Sequence, residues 1–314
     1  MARTFRPRRS CLAVPGSNPK MLTKAHGLAV DEVFLDLEDS VAPSAKVVAR
    51  ANILTALHDG DWSGKVVAVR VNDAETRWAY DDVIEIVRGA GSIIDCIMLP
   101  KVEKLAHIHW LDVLLGQLEK DLNLPEGKIG IEVQIEGPSG LSIVDDIAAS
   151  TPRVETLIFG PGDFMAAMQI PTLVIGENSF GGHSPIDSVF MTLAVTARKY
   201  GVQAIDGPYA VIGDLDGFNR AAVHAAAFGF DGKWVLHPTQ VDAANSVFSP
   251  VQEAYDKAES ILDAYDFHRS ADGGARGAAM LNGEMIDEAS RKLALVTAKK
   301  GRRAGLTRST DHLQ

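Results

Sequence analysis

The chain has 314 residues, 46% of them hydrophobic and 23% charged, with a formal net charge of −10. This is an ordinary globular composition with ample material for a core, as one large α/β domain with a small extension or as two domains. The acidic balance gives no support for a nucleic-acid partner, and no apolar run has the length of a signal peptide or a membrane span.

Arg6, Arg8 and Arg9 form a basic cluster near the start, and Lys299, Lys300, Arg302 and Arg303 another near the end; both read as solvated tails. Cys11 and Cys96 lie inside apolar, strand-like runs, as buried thiols of a reducing, cytoplasmic protein would.

Taken in order, residues 9–15 (RSCLAVP) read as a first strand, closed by Gly16-Ser17-Asn18-Pro19 and followed by a helix over 20–28. Residues 33–39 (VFLDLED) form a second strand and 44–58 a helix; 65–72 (KVVAVRVN) a third strand and 78–89 a helix. Residues 95–101 (DCIMLPK) form a fourth strand, with a long helix over 102–122. Residues 128–136 (KIGIEVQIE) alternate with period two, so Ile131, Val133 and Ile135 share one face and Glu132, Gln134 and Glu136 the other. A helix over 138–150, a sixth strand over 154–160, a helix over 185–200, a seventh strand over 203–206, a helix over 214–228 and an eighth strand over 232–238 complete the repeat.

Eight such units predict a (β/α)8 TIM barrel over residues 1–248 with right-handed crossovers. An open doubly wound sheet is the competing architecture, but no Gly-x-Gly-x-x-Gly follows the first strand. Residues 249–314 depart from the repeat: helices over 251–269 and 286–300 flank a glycine-rich joint at 272–277. They are expected to form a C-terminal helical extension that packs on the barrel or on a neighbour.

In a barrel of this kind the active site lies at the C-terminal ends of the strands. Those ends read Pro15-Gly16-Ser17, Asp36/Glu38/Asp39, Arg70/Asn72, Lys101, Glu136, Asp163, Asp206 and His237. Carboxylates on the inner face of a strand are costly unless paired or metal-bound. Arg70 and Asn72 are expected to project into the same mouth as Glu136, and Asp163 follows a Gly160-Pro161-Gly162 turn whose glycines allow close approach of a ligand. Glu136 and Asp163, from adjacent strands, could share one hard cation; Mg²⁺ takes one or two carboxylates and keeps other positions for water and substrate. Glu132, deeper along the strand, reads as a structural partner inside the barrel.

Bland alternatives stand beside these roles. Asp36 and Glu38 could pair with Arg70 structurally, Lys101 could only balance nearby acids, Asp206 could only shape a turn, and His237 could only start a helix. His107 and His109, on one helix but not four residues apart, read as surface groups. No zinc motif, nucleophile elbow or P-loop occurs, and Gly273–Gly277 lacks the preceding strand of a dinucleotide fingerprint.

Nine blocks then occur in order: residues 9–25, 31–43, 69–72 (VRVN), 97–103 (IMLPKVE), 129–136 (IGIEVQIE), 159–164 (FGPGDF), 205–209 (IDGPY), 232–241 (GKWVLHPTQV) and 283–287 (GEMID). In these the chain resembles the citrate lyase β-subunit/HpcH–HpaI aldolase superfamily, most closely its malyl-CoA lyase branch. The resemblance implies a Mg²⁺-dependent carbon–carbon lyase, with Mn²⁺ as a substitute ion, acting on a 3-hydroxyacyl-CoA. Its partners would be an acyl-CoA and a 2-oxo acid, glyoxylate or pyruvate, in a homotrimer or hexamer.

By matched motif, Glu136 and Asp163 resemble the metal ligands and Arg70 the residue holding the oxo-acid oxygens. Lys24 and the Arg9 segment resemble the nucleotide end of the CoA site, while Gly162, Leu236 and His237 resemble pocket residues. Asp287 matches an acid/base residue that the extension delivers to a neighbouring subunit's site. The chain departs from relatives at Ala13, often aromatic, at Asn18, often Arg, and over 170–184, which is shorter. The same resemblance leaves room for a citramalyl-CoA or β-methylmalyl-CoA lyase, a malyl-CoA thioesterase, a citrate lyase β-subunit or a non-catalytic CoA-binding paralogue.

Overall fold

The computed structural model describes residues 5–177 and 184–309. It divides into two compact units, Met1–Phe248 and Ser249–Gln314.

In the first unit, eight strands alternate with helices: β1 (Ser10–Pro15), α1 (Pro19–Ala25), β2 (Glu32–Asp36), α2 (Lys46–Asp59), β3 (Val66–Arg70), α3 (Ala79–Ala90), β4 (Cys96–Leu99) and α4 (Leu105–Asp121). The second half runs β5 (Gly130–Ile135), α5 (Pro138–Ser142), α6 (Val144–Ala149), β6 (Val154–Phe159), α7 (Pro161–Ala167), α8 (Asp187–Tyr200), β7 (Gln203–Asp206), α9 (Leu215–Ala227), β8 (Gly232–Val235) and α10 (Val241–Val247). All neighbouring strands pair in parallel, and β8 closes on β1. This is the TIM barrel.

Period-two alternation gives the barrel two separate apolar layers. Val33, Leu35, Val67, Val69, Ile131 and Val133 face the helices and belong to the main core. Cys11, Phe34, Ala68, Cys96, Met98, Ile158, Ile205 and Trp234 fill the interior as a second cluster. Both cysteines are free and buried.

The N-terminal basic cluster is not a solvated tail. Arg8 is 1% exposed, and its guanidinium meets Glu32 at 2.7 Å, Glu132 at 2.7 Å and Glu155 at 2.8 Å. Arg6 pairs with Glu155 and Arg9 with Asp31. Glutamates from three strands inside a closed barrel need a cation, and the segment entering β1 is where one can be supplied. The reading of Glu132 as an interior partner holds.

Several boundaries differ from the sequence reading. The second strand stops at Asp36, because the Asp36 carboxylate accepts the N–H groups of Glu38 at 2.9 Å and Ser40 at 3.2 Å and curls the chain out of the ladder. The single helix expected over 138–150 breaks at Ile143. The turn expected at Gly160-Pro161-Gly162 runs directly into a helix, α7, over Pro161–Ala167.

The second unit comprises α11 (Gln252–Arg269), a hairpin of β9 (Ala279–Leu281) and β10 (Glu284–Ile286), and α12 (Glu288–Arg303). Tyr255, Ala258, Leu262, Ala294 and Ala298 form its core. Gly301 is required there, since a Cβ would stand 2.2 Å from the Tyr255 ring. The hairpin was not foreseen; its turn uses Asn282 and Gly283, both at positive φ, the pair such a two-residue connection favours. The second basic cluster lies on α12, where Arg302 pairs with Glu259 at 2.7 Å. Among the described residues no helix is long and apolar enough to cross a membrane.

Candidate active site at the mouth of the barrel

Glu136 stands one residue beyond β5, and different groups hold its two oxygens. Oε1 accepts the Lys101 backbone N–H at 2.6 Å, and Oε2 accepts the Gln134 side-chain amide at 2.8 Å. Gly160 makes room for that carboxylate: a Cβ there would lie 2.4 Å from the Glu136 Cβ and 2.6 Å from Oε2. The Gly162 position is less constrained, with Ile175 at an ordinary 3.4 Å. Burial pushes the Glu136 carboxyl up to about 8; Lys101 opposes the shift, and the negative charges of Glu38 and Asp163 add to it.

Asp163 is the third residue of α7 and exposed. Lys101 Nζ lies 3.4 Å from its Oδ2 and 3.4 Å from Asp39, and it pairs closely with Glu38. Lys101 takes up this position with φ at 51°, in the left-handed region that costs a non-glycine residue about 1–3 kcal/mol.

Arg70 ends β3 and is 7% exposed. Its Nε and Nη2 fork onto Asp36 at 2.6 and 2.8 Å, and Nη1 lies 3.0 Å from Glu38. Burial would raise the Asp36 carboxyl, but the Arg70 guanidinium outweighs it and holds it below the usual carboxylate range. Arg70 thus makes the structural pairing, with Asp36 fixing its fork, and also lines the cavity at this mouth.

A cavity of about 390 Å³ opens at this mouth, and Arg70, Glu136, Gly162, Asp163 and Leu236 all line it. Met21, Ala13 and Trp234 contribute apolar wall. A second cavity of about 480 Å³ shares Glu136 and Asp163 and reaches Lys101, Glu75 and His107.

Lys24, in the last turn of α1, and His237, whose ring accepts the Thr239 N–H at 3.3 Å, are exposed and do not line the first cavity. Asn18 caps α1 by accepting the Met21 N–H at 3.2 Å, which occupies its side chain. Asp287 belongs to the second unit, where its Oδ1 caps α12 through the N–H groups of Ala289 at 2.9 Å and Ser290 at 3.0 Å. Those bonds, the Ser290 N–H foremost, hold its carboxyl below the usual range. Of the short segment over 170–184, residues 178–183 lie outside the described residues.

Two expectations are corrected. Asn72 does not enter the mouth; β3 ends at Arg70, and the Asn72 side chain bridges Lys46 at 2.5 Å and Asp82 at 2.6 Å. His107 is buried rather than on the surface, with Nε2 3.3 Å from Glu75, while His109 is exposed. Asp206 does shape its turn, accepting the Gly207 N–H at 2.9 Å, and also forms a buried pair with Lys233 at 2.5 Å. The sequence reading missed Gln134 as a partner of Glu136, although two residues of strand spacing place both on one face.

The donor set fits a hard divalent cation. Among the described residues no cluster of three or more His, Cys, Asp or Glu forms a closed cage. Two carboxylates on an open cavity are instead what Mg²⁺ accepts, with water and substrate completing its shell. Asp36, Glu38, Asp39, Glu136 and Asp163 outnumber the cations Arg70, Lys101 and Lys46 around them, and the charges of Glu38 and Asp163 add to the burial that raises the Glu136 carboxyl.

Residues 9–238 match the family model described as HpcH/HpaI aldolase/citrate lyase. An L-malyl-CoA/β-methylmalyl-CoA lyase from Cereibacter sphaeroides is 37% identical over 305 residues, covering 94% of this chain and 95% of that protein. A (3S)-malyl-CoA thioesterase from the same species is 31% identical, covering 96% and 95%. The structure of CitE from Mycobacterium tuberculosis, in complex with magnesium, acetoacetate and coenzyme A, superposes with a TM-score of 0.72 at 26% identity, covering 96% of this chain and 99% of that one. With nearly the whole chain matched and the barrel closed as the family requires, the protein belongs to the HpcH/HpaI aldolase/citrate lyase family and is a carbon–carbon lyase.

Proposed function

We propose that the chain is a Mg²⁺-dependent CoA-ester lyase that cleaves, or in reverse forms, a 3-hydroxyacyl-CoA such as malyl-CoA, with acetyl-CoA and glyoxylate as the small partners. The observation that carries this reading is the convergence of Glu136, Asp163 and Arg70 on one cavity. The malyl-CoA lyase relative and the magnesium- and coenzyme A-bound CitE structure support it.

Glu136 and Asp163 would hold the ion, which supplies Lewis-acid polarisation of the substrate's hydroxyl and carboxylate oxygens. Arg70 would bind the oxo-acid oxygens from the cavity floor. Asp36 keeps its guanidinium from swinging, so little entropy is lost on binding. In retro-Claisen cleavage the 3-hydroxyl would lose its proton to solvent as C2–C3 breaks, the oxygen's electron pair becoming the glyoxylate carbonyl and the C2–C3 pair the acetyl-CoA enolate, which is then protonated at carbon.

We assign that carbon proton transfer to Asp287. Its backbone bonds keep it ionised at rest, the state needed to take a proton from acetyl-CoA in the condensing direction. The extension would serve a neighbouring subunit, which makes the working unit a homo-oligomer, a trimer or hexamer. Asp287→Asn should lower kcat by about 10²–10⁴-fold with Mg²⁺ affinity unchanged. Mixing that variant with Glu136→Gln should restore part of the activity through hybrid oligomers. Near-normal turnover in Asp287→Asn would remove the role, and no recovery on mixing would remove the neighbour.

The substrate is tested by incubating the protein with Mg²⁺, acetyl-CoA or propionyl-CoA, and glyoxylate or pyruvate, then identifying products by mass. Malyl-CoA from acetyl-CoA and glyoxylate is the expected result. Citramalyl-CoA or methylmalyl-CoA as the main product would move the substrate within the same chemistry. Free CoA with malate would favour the thioesterase outcome of the 31% identical relative, and no product from any pair would overturn the reading.

A further inference from the structure

Lys101 touches both carboxylates assigned to the ion, through different atoms. Its backbone N–H aims at Glu136 Oε1, 2.6 Å away, while its ammonium leans on Asp163 Oδ2 at 3.4 Å. The ammonium is anchored elsewhere, in a close pair with Glu38, itself in contact with Arg70 at 3.0 Å. The left-handed backbone at φ 51° lets one residue at the end of β4 direct both groups into the mouth. The Asp163 contact is the loosest of the set and can be surrendered without breaking the Glu38 pair.

We propose that Lys101 is the resident counter-ion of the divalent-cation site: its ammonium neutralises Asp163 in the metal-free protein and yields it to the incoming ion, while its N–H keeps Glu136 in place. The inference rests on the reading of Glu136 and Asp163 as metal ligands. It makes Lys101 a positioning residue, and one that opposes the ion rather than assisting it. The ammonium competes for Asp163 and, once displaced onto Glu38 and Asp39, still repels the bound cation.

The test is calorimetric titration of MgCl₂ into the full-length, metal-free protein, with thermal unfolding as a second readout. Lys101→Met should bind Mg²⁺ about tenfold more tightly. Its metal-free Tm should fall, and its Tm gain on adding Mg²⁺ should exceed that of the unmodified protein. Lys101→Arg should behave as the unmodified protein. Lys101→Gly keeps the N–H and favours this φ, so it should show the same tightening even if the methionine variant folds poorly. Unchanged or weaker affinity in both Lys101→Met and Lys101→Gly would overturn the inference. Glu136→Gln separates the two levels. If it loses Mg²⁺ while the Lys101 variants are unchanged, only the counter-ion role fails. If it binds Mg²⁺ as well as the unmodified protein, the metal reading fails with it.

Discussion

Glu136→Gln is expected to lower turnover by about 10³-fold or more and to abolish the Mg²⁺-dependent rise in Tm. The substitution keeps the shape of the side chain and removes one of two proposed anionic ligands, so the loss falls on charge rather than packing. It also exchanges one acceptor oxygen for an NH₂ group between two donors, the Lys101 N–H and the Gln134 amide. Gln134 can repair this by flipping its amide, because its Oε1 has no partner among the described residues and would then accept from the new NH₂. The fold should therefore survive, with a metal-free Tm close to that of the unmodified protein. Activity assays and calorimetry on the same preparation decide the matter: Mg²⁺ affinity within twofold of the unmodified protein would remove Glu136 from the metal site.

The strand period made this residue legible. Residues 128–136 alternate without interruption within a chain of eight strand–helix units, so the polar face reads as the inside of a closed sheet, with Glu136 near its C-terminal end. Arg70 followed from the same parity in β3. Features that depend on distant partners were not legible. Nothing local to Lys101 announces a left-handed backbone, which is stabilised by Glu136, 35 residues away, and by Glu38, 63 residues away. Arg8 looked like part of a solvated tail because its glutamates come from β2, β5 and β6. Asn72 was misplaced by extending a period-two pattern two residues past the end of a strand. His107 was misread for a similar reason: its helix face packs beside the loop that carries Glu75, and no spacing rule within α4 reports that.

Arg8→Ala should destabilise the barrel by about 3–5 kcal/mol, the cost of leaving a buried ion cluster without its cation. The residue is fully enclosed, and Glu32, Glu132 and Glu155 converge on it at 2.7–2.8 Å with Gln203 at 2.8 Å. Arg6 stays with Glu155 but does not replace the contacts to Glu32 and Glu132. Burial already pushes the Glu32 carboxyl well above its usual range, with the Glu132 charge adding to the shift and Arg8 opposing it. Burial likewise raises Glu132 against the pull of Arg8. Without Arg8 both rise further. A carboxyl whose folded pKa exceeds its unfolded value, about 4.3 for glutamate, contributes stability that is fully present below the unfolded value. That contribution is lost as pH climbs through the folded one. The deficit of Arg8→Ala should accordingly be smallest at and below the unfolded value and grow as pH rises above it, as read from urea midpoints between pH 5 and pH 8. Arg8→Lys should recover part of the loss, because it restores the charge without the fork that reaches three strands. Combining Arg8→Met with Glu32→Gln and Glu132→Gln should recover more, since it removes the uncompensated charges along with the cation. A flat pH profile, or a deficit below about 1 kcal/mol at pH 8, would mean that water rather than Arg8 solvates these glutamates. The end of the barrel opposite the active mouth would then be open rather than plugged.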